Sequence, residues 1–414
     1  MDKKLSTEPY KGTRDFYPED MAVERYIFDT WAKVAESFGF ERYDASILEP
    51  SELYRSKGAE NEELVNEQTY TFVDRGEREV TLRPEMTPTV ARMVAGKRRE
   101  LSFPVRWYSI PNLFRYERPQ RGRLREHWQL NCDMFGVDDV ASDIEMIALG
   151  YRILLAFGAS PKMFEIRVND RTWLKLQLSD YGLSEEQMKA MLTLIDKRDK
   201  IDDFDEEAEK IAGKKVSLDF TTPNPEHRLM QVIEGLKALG IENVVISPST
   251  VRGFSYYTGT IFEFFDTASE NNRSLLGGGR YDNLTALFGG DPVSGVGFGM
   301  GDVTMRDFLE THSLLTKDVK TTAPTLAILP LDATHNLAAE VLAEEFRSAG
   351  VRTAVDLSDR KVGKKLSAAS DAGVAYVIVL GEDEAASRSY ALKNLGTGDE
   401  TKGSAEELAK HIAR

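Results

Sequence analysis

Residues 114–129 read FRYERPQRGRLREHWQ and hold five arginines, in a chain whose formal net charge is −15. Arginine stays charged and presents a planar fork of donors that matches phosphate oxygens, which makes the stretch a candidate anion site. Read as a strand, its first residues put Arg115 and Glu117 on one face, two apart, so that the guanidinium can meet an anion while the carboxylate accepts from an amino group. Pro119 and Gly122 predict a loop carrying Arg118, Arg121 and Arg123. HWQLNCDMF then alternates, with His127, Gln129, Asn131 and Asp133 facing one way and Trp128, Leu130, Cys132 and Met134 the other. One sheet face thus gathers Arg115, Glu117, Gln129 and Asp133. Unpaired polar groups on a buried face cost on the order of a few kcal/mol each. A polyanion bound beside a small polar ligand would satisfy them, and a solvated hairpin face is the plainer alternative.

Other clusters have the same character. LRPEMTP (82–88) brings Arg83, Glu85 and Thr87 onto one face if it ends a strand, and a carboxylate beside a hydroxyl can hold a substrate ammonium; a surface strand leading into a helix is the alternative. VRGFSYYTG (251–259) sets Arg252 at a glycine beside paired tyrosines, which suits close approach to phosphate. GGGRYD (277–282) and GVGFGMG (295–301) let backbone come near a ligand, or simply form tight sheet turns.

At 414 residues the chain has room for two or three domains, and its 41% hydrophobic and 29% charged residues are those of a soluble globular protein. No apolar run reaches the roughly 18 residues that cross a bilayer. The N-terminal MDKKLSTEPYKGTRDF lacks the apolar core of a secretion signal, and the single cysteine, Cys132, excludes an internal disulfide. A cytoplasmic protein without membrane contact is expected. The acidic total argues against broad nucleic-acid binding and leaves room for a local basic site. The histidines at 127, 227, 312, 335 and 411 lack zinc-ligand spacing, so no protein-held metal is expected.

The elements that must position these groups are legible in outline. Residues 20–38 space Met21, Tyr26, Ile27, Trp31, Val34 and Phe38 as a helix ended by Gly39. TYTFVDR, EVTLRPE, VRWYSI, LFRYE and HWQLNCDMF are strand-like without βαβ rhythm, which predicts a mainly antiparallel sheet. SDIEMIALGYRILLAFG reads as a helix with Ser142 as N-cap and Glu145 three residues on. Polar helices from about 170 to 247 look inserted into the sheet domain. SLLTKDVKTTAP (313–324) reads as a linker, and the tail alternates strand and helix, predicting a small α/β domain with parallel pairing.

Taken together and in order, KGTRDFYP, YTFVDR…LRPEMTP, FRYERPQRGRLREHWQLNCDMFG, VRGFSYYTGTIFE, GGGRYDNL and GVGFGMG resemble the histidyl-tRNA synthetases, a family of class II aminoacyl-tRNA synthetases. The tail, with RKVGKKLSAASDAGVAYVIVLGEDE and LKNLGTG, is similar to the family's anticodon-binding domain. The resemblance implies an α+β protein. An antiparallel-sheet catalytic domain would occupy 1–320 with a helical insertion at about 170–247, and an α/β anticodon-binding domain 321–414. It implies a histidine–tRNA ligase that uses ATP and Mg2+, acts on histidine and tRNA(His), and forms a homodimer.

By the same resemblance, Arg115 and Arg252 grip the α-phosphate and are the catalytic pair. Arg123 meets the outer phosphates and Glu117 the adenine amino group. Glu85, Thr87 and Gln129 hold the α-amino group of histidine, Asp133 and Tyr257 hold its imidazole, and Tyr256 and Tyr281 complete the pocket. Arg118 and Gln120 reach the acceptor end of the tRNA. Arg360, Lys361, Lys364 and Lys365 are an anticodon-side phosphate patch, or a solvated helix face.

The chain also departs from the family pattern. Ser46 stands where an early motif 1 proline is usual, Asp133 where the pocket carboxylate is usually glutamate, and Ser255 where aspartate is common. Thr304 stands where class II motif 3 ends in an ATP-binding arginine, and Arg306 lies two residues later. A catalytically weak paralogue serving as a histidine-sensing regulatory subunit in histidine biosynthesis is the competing reading, and an RNA-binding module without chemistry is a third.

Overall fold

The helix Pro18–Ser37 starts on a proline at its first turn and stops where Gly39 takes φ +78°. Ile27, Trp31 and Ala35 are fully buried at four-residue spacing, as the sequence period requires, whereas Met21 stays exposed. The computed structural model describes residues 5–55, 68–196, 201, 203–218, 223, 225–247, 250, 256–271, 273–315, 319 and 321–413. The chain divides into two compact units, Met1–Val319 and Lys320–Arg414.

The first unit is built on a nine-stranded sheet. Its centre is antiparallel: Val105–Ser109, Glu126–Phe135, Gly295–Gly301, Ser274–Arg280, Thr260–Asp266 and Phe164–Asp170 lie side by side in that order. Two short parallel pairings close the edges, Glu41–Arg42 on Val105–Ser109 and Val244–Ile246 on Phe164–Asp170. Between those last two strands the chain leaves the sheet and, among the described residues, forms the helices Arg171–Ser179, Glu185–Asp196, Phe204–Ala212 and Arg228–Ala238. A separate three-stranded antiparallel sheet pairs Leu48–Pro50 and Tyr70–Val73 with Glu79–Leu82.

One face of the large sheet is packed by the helix Val140–Ala156. Gly150 lets that helix approach closely, since a Cβ there would lie 2.8 Å from Leu276 Cδ1. The N-cap is Asp139, not Ser142: the Asp139 carboxylate accepts from the Ala141 N–H at 2.8 Å. Ser142 and Glu145 serve tertiary contacts instead, Ser142 Oγ accepting from Arg280 at 2.6 Å and Glu145 accepting from Arg106 at 2.9 Å. At the N-terminus Arg14 of KGTRDFYP donates to Asp302 at 2.5 Å, and Asp302 also accepts from the Trp128 N–H at 2.9 Å, which ties the first segment to the longest strand.

The second unit has a five-stranded sheet. Thr353–Val355, Leu326–Pro330 and Tyr376–Leu380 pair in parallel, as the strand–helix alternation predicts. Tyr390–Asn394 and Glu400–Gly403 then add an antiparallel hairpin. Its turn follows from composition: Asn394 Oδ1 accepts from the Gly396 and Thr397 N–H groups, and Gly398 takes φ +82°.

Candidate active site

The strands Glu126–Phe135 and Gly295–Gly301 pair so that Gly297 lies opposite Asp133 and Gly301 opposite Gln129. A Cβ at Gly297 would come within 2.4 Å of Asp133 Oδ1, and one at Gly299 within 2.6 Å of the Gln129 amide. Glycine is therefore required here by space. It strips the sheet so that the polar side chains of the neighbouring strand lie across bare backbone.

Asp133 sits at the floor of this clearing and is 2% exposed. The Tyr281 hydroxyl donates to its Oδ1, and its Oδ2 is buried with no hydrogen-bond partner among the described residues. Burial pushes its carboxyl up to about 7, against the opposing pull of the Tyr281 hydrogen bond. A buried acceptor left open in this way costs about 1–3 kcal/mol, which a ligand N–H can relieve.

Aromatic rings wall the clearing. Tyr256, Tyr257 and Tyr281 meet with ring centroids 4.9–6.4 Å apart. The Tyr256 hydroxyl donates to Glu85 Oε2 at 3.2 Å, and Glu85 is buried. Burial pushes the phenols of all three well above their usual range, so they remain neutral donors at physiological pH. Thr87 belongs to the same corner as a hydrogen-bonding neighbour of Tyr256, but as the first residue of the helix Thr87–Lys97, not as part of a strand. The strand ends at Leu82, so Arg83, Glu85 and Thr87 do not share a face by alternation. Arg83 turns to the Asn112 and Ala45 carbonyls and supports the fold.

The arginine stretch also bends earlier than the sequence suggests. Its strand stops at Phe114, the Arg115 N–H pairs with the Arg125 carbonyl, and the Glu117 N–H folds back onto the Arg115 carbonyl. Arg115 and Glu117 therefore do not lie on one strand face. Arg115 is half-buried and anchored by a 2.9 Å bond from Nε to the Pro84 carbonyl, while Glu117 is buried and ion-paired with Arg123 at 2.5 Å. Gln120 and Arg123 close a tight turn through Gly122, at φ +70°, and Arg118 and Gln120 are exposed on it. Arg125 is the loop's brace: its guanidinium lies 4.0 Å from the Tyr116 ring centroid and donates to the Glu117 carbonyl at 3.1 Å. His127 faces this positive field. Burial, then Arg115, Arg14 and Arg123, push its imidazole down to about 3, so it is neutral.

The structure thus brings together Glu85, Thr87, Asp133, Tyr256, Tyr257 and Tyr281, with Gln129 across the glycines, and places Arg115, Glu117 and Arg123 in the arginine stretch. Arg252 and Ser255 lie outside the described residues. Sequence reasoning missed Tyr43 and Trp107. The Tyr43 phenol is pushed up by burial and by the charge of Asp133, and Trp107 is the register partner of Asp133 on the neighbouring strand and packs 5.6 Å from Tyr43. Only sheet register reveals them. Arg306 does not replace Thr304 in the site, because it is held by Asp20 at 3.0 Å and Glu310 at 2.9 Å.

In the second unit Arg360, Lys361 and Lys364 are exposed. Lys365 is not part of that surface. It is 2% exposed, and its ammonium donates to the Pro330 and Asp356 carbonyls at 3.0 Å each. Its charge is spent on backbone acceptors that would otherwise be buried without donors.

Comparisons with known proteins point to one family. A family model described as histidyl-tRNA synthetase matches residues 12–302, and an anticodon binding domain model matches 325–414. A histidine–tRNA ligase of Leptospira biflexa is 42% identical over 99% of this chain and 98% of its own length, and one of Thermoplasma volcanium is 37% identical over 96% of each. The crystal structure of histidyl-tRNA synthetase from Nostoc sp. PCC 7120 covers 99% of this chain at 26% identity, with a TM-score of 0.77. Among the described residues no helix is long and apolar enough to cross a membrane. The glycine-cleared sheet, its arginine loop and the end-to-end likeness converge, and the chain belongs to the histidyl-tRNA synthetase family.

Proposed function

We propose that this chain is an ATP-dependent histidine–tRNA ligase. The observation that carries the reading is Asp133: a buried carboxylate with one oxygen held by Tyr281 and the other open, in a slot walled by tyrosines and floored by glycine. An imidazole N–H fills that vacant acceptor. An apolar competitor leaves it unpaired, which is the kind of mismatch that discriminates strongly. Glu85, Thr87 and Gln129 take the α-amino group, and Tyr257 and Tyr256 the ring edge. Asp133 is a methylene shorter than glutamate, and Tyr281 compensates by fixing the carboxylate from behind.

In the first step a carboxylate oxygen of histidine bonds to the α-phosphorus of ATP, and the bond to the β-phosphate bridge breaks to release pyrophosphate. The carboxylate is already ionised, so no protein base is needed; the chain supplies position and positive charge. Arg115 and Arg252 carry that role at the α-phosphate, and Mg2+ bound with ATP would add positive charge there. Glu117 and Arg123 neutralise each other until ATP separates them, the carboxylate turning to the adenine amino group and the guanidinium to the outer phosphates. In the second step the terminal ribose hydroxyl of tRNA(His) takes the histidyl group and AMP leaves. Arg118 and Gln120, exposed on the loop, meet the acceptor end, and Arg360, Lys361 and Lys364 meet phosphates on the anticodon side. A cytoplasmic homodimer belongs to the same reading, with the catalytic domain ending and the anticodon-binding domain beginning near residue 320.

The test is exchange of labelled pyrophosphate into ATP. Exchange that depends on histidine is expected, and Arg252→Ala should abolish it while leaving histidine affinity nearly intact. Histidine binding without exchange would instead support the regulatory-subunit reading, for which the relatives named as ligases along their whole length offer no support.

A further inference from the structure

The tip of the arginine loop is fastened to a segment that no motif includes. Arg121 is exposed, yet its guanidinium donates to Asn271 Oδ1 at 2.9 Å, and Asn271 is buried just beyond the strand Thr260–Asp266. The orientation of that amide is fixed from below. Asn271 Nδ2 donates to Asp266 Oδ2 at 2.7 Å and to Thr311 Oγ1 at 3.1 Å. A carboxylate only accepts, so the amide nitrogen must face Asp266 and the carbonyl oxygen must face the loop. Asp266 is held in turn: its Oδ1 accepts from the Ala268 N–H and from His312 Nε2, both at 2.8 Å. The loop tip thus meets an acceptor whose direction is set by a strand end and by the last turn of the helix Asp302–Thr311.

We propose that Asn271 is a positioning residue for the ATP step: by holding Arg121 it fixes the tip of the arginine loop, and so presents Arg123, two residues on, to the outer phosphates. The inference rests on the ligase reading above. The loop is gripped at both ends. Arg125 braces its base, with its ring contact to Tyr116 and its N–H on the Gly12 carbonyl, and Arg121 braces its tip. Between the two, the Gln120 and Arg123 backbones pair across the turn, so a tip held at Arg121 carries Arg123 with it. The turn is also packed from beneath, since a Cβ on Gly122 would lie 3.1 Å from Arg273 Cγ and 3.4 Å from Thr304 Cγ2. Arg121 reaches the helix as well: burial pushes the half-buried Asp307 carboxyl up, and Arg121 is the first of the charges that pull it back. A loop ordered before ATP arrives spares the nucleotide the entropy of ordering it. The bond at its tip has a charged donor, which makes it one of the stronger kind.

The experiment is a double-mutant cycle on the full-length protein, read by pyrophosphate exchange with ATP and histidine varied in turn, beside the melting temperature. Arg121→Ala and Asn271→Ala should each raise the KM for ATP about 10-fold, with kcat and the histidine KM within about twofold of wild type. The double variant should be no worse than the worse single one, because the two residues act through one bond. Arg121→Lys, which can still donate to the Asn271 carbonyl, should recover most of the loss; a merely structural role would show neither this rescue nor the selectivity for ATP. Arg121 is exposed, so its alanine variant tests the contact even if Asn271→Ala does not fold. An ATP KM within about twofold of wild type in Arg121→Ala overturns the proposal, and so do effects of the two substitutions that simply add. If the wild type shows no histidine-dependent exchange, the ligase reading fails, and equilibrium dialysis of labelled ATP against the same variants decides the role of Asn271 on the same fold-changes. A wild type that binds no ATP overturns both.

Discussion

Two buried aspartates in the first unit have opposite surroundings. Asp143, under the sheet, is fully buried and saturated: Arg280 donates to one oxygen at 3.0 Å and Arg228 to the other at 2.7 Å. Arg280 is equally satisfied, reaching Ser142, Ser294, Asp282 and the Val137 carbonyl. Asp133, on the opposite face, has a tyrosine on one oxygen and, among the described residues, no hydrogen-bond partner on the other. Groups that hold a fold together are left with no unused valence, because a buried orphan is costly. A group that holds a ligand must keep one. The arginine of GGGRYD is thus a structural rivet, while Gly279 beside it leaves room for the Tyr257 ring.

That contrast is open to attack from several sides. Arg280→Ala should be the most damaging change, taking from buried Asp143 one of its two arginines and costing about 3–5 kcal/mol of stability in urea unfolding; a midpoint near wild type would dissolve the distinction. Gly297→Ala should act on the pocket, since its Cβ would press on Asp133 and Tyr281. A drop in histidine affinity of about 10- to 100-fold is expected, with ATP binding preserved. Lys365→Ala should cost about 1–2 kcal/mol of stability by freeing two carbonyls. Lys361→Ala and Lys364→Ala should leave the melting temperature alone, weaken tRNA binding and flatten its salt dependence. The smallest signal is a proton. Asp133 has a carboxyl raised to about 7 in the free protein, so its protonated form prevails below that pH. Stability drawn from this group is complete below its ordinary range near 4 and is lost as pH rises through 7. An imidazole N–H favours the ionised form. Histidine binding at pH 7 should therefore release about half a proton from wild type, less at pH 8.5, and none from this site in Asp133→Asn, by calorimetry in buffers of different ionisation enthalpy.

What could be read in advance followed the range of the physics. The strand Glu126–Phe135 was legible because alternation is local, and it set Gln129 and Asp133 on one face. Arg115 and Glu117 were misplaced because backbone bonds to Arg125 bend the chain after Phe114, and no side-chain pattern announces that. Tyr43 and Trp107 escaped because they reach Asp133 only through pairing with distant strands. Lys365 looked like its neighbours Lys361 and Lys364. Helical position turns it inward, where the carbonyls of Pro330 and Asp356 wait. Asp139 displaced Ser142 as a helix cap because Arg280, far along the chain, claims the serine.

The claim that the rest depends on is that the open oxygen of Asp133 is the acceptor for substrate imidazole. Asp133→Asn leaves shape and volume intact, so the histidine KM of pyrophosphate exchange in that variant, measured beside its melting temperature, is the most direct test. The expected result is a KM raised about 100-fold or more with the melting temperature held or increased. An unchanged KM, or a loss of stability like that of Arg280→Ala, would contradict it.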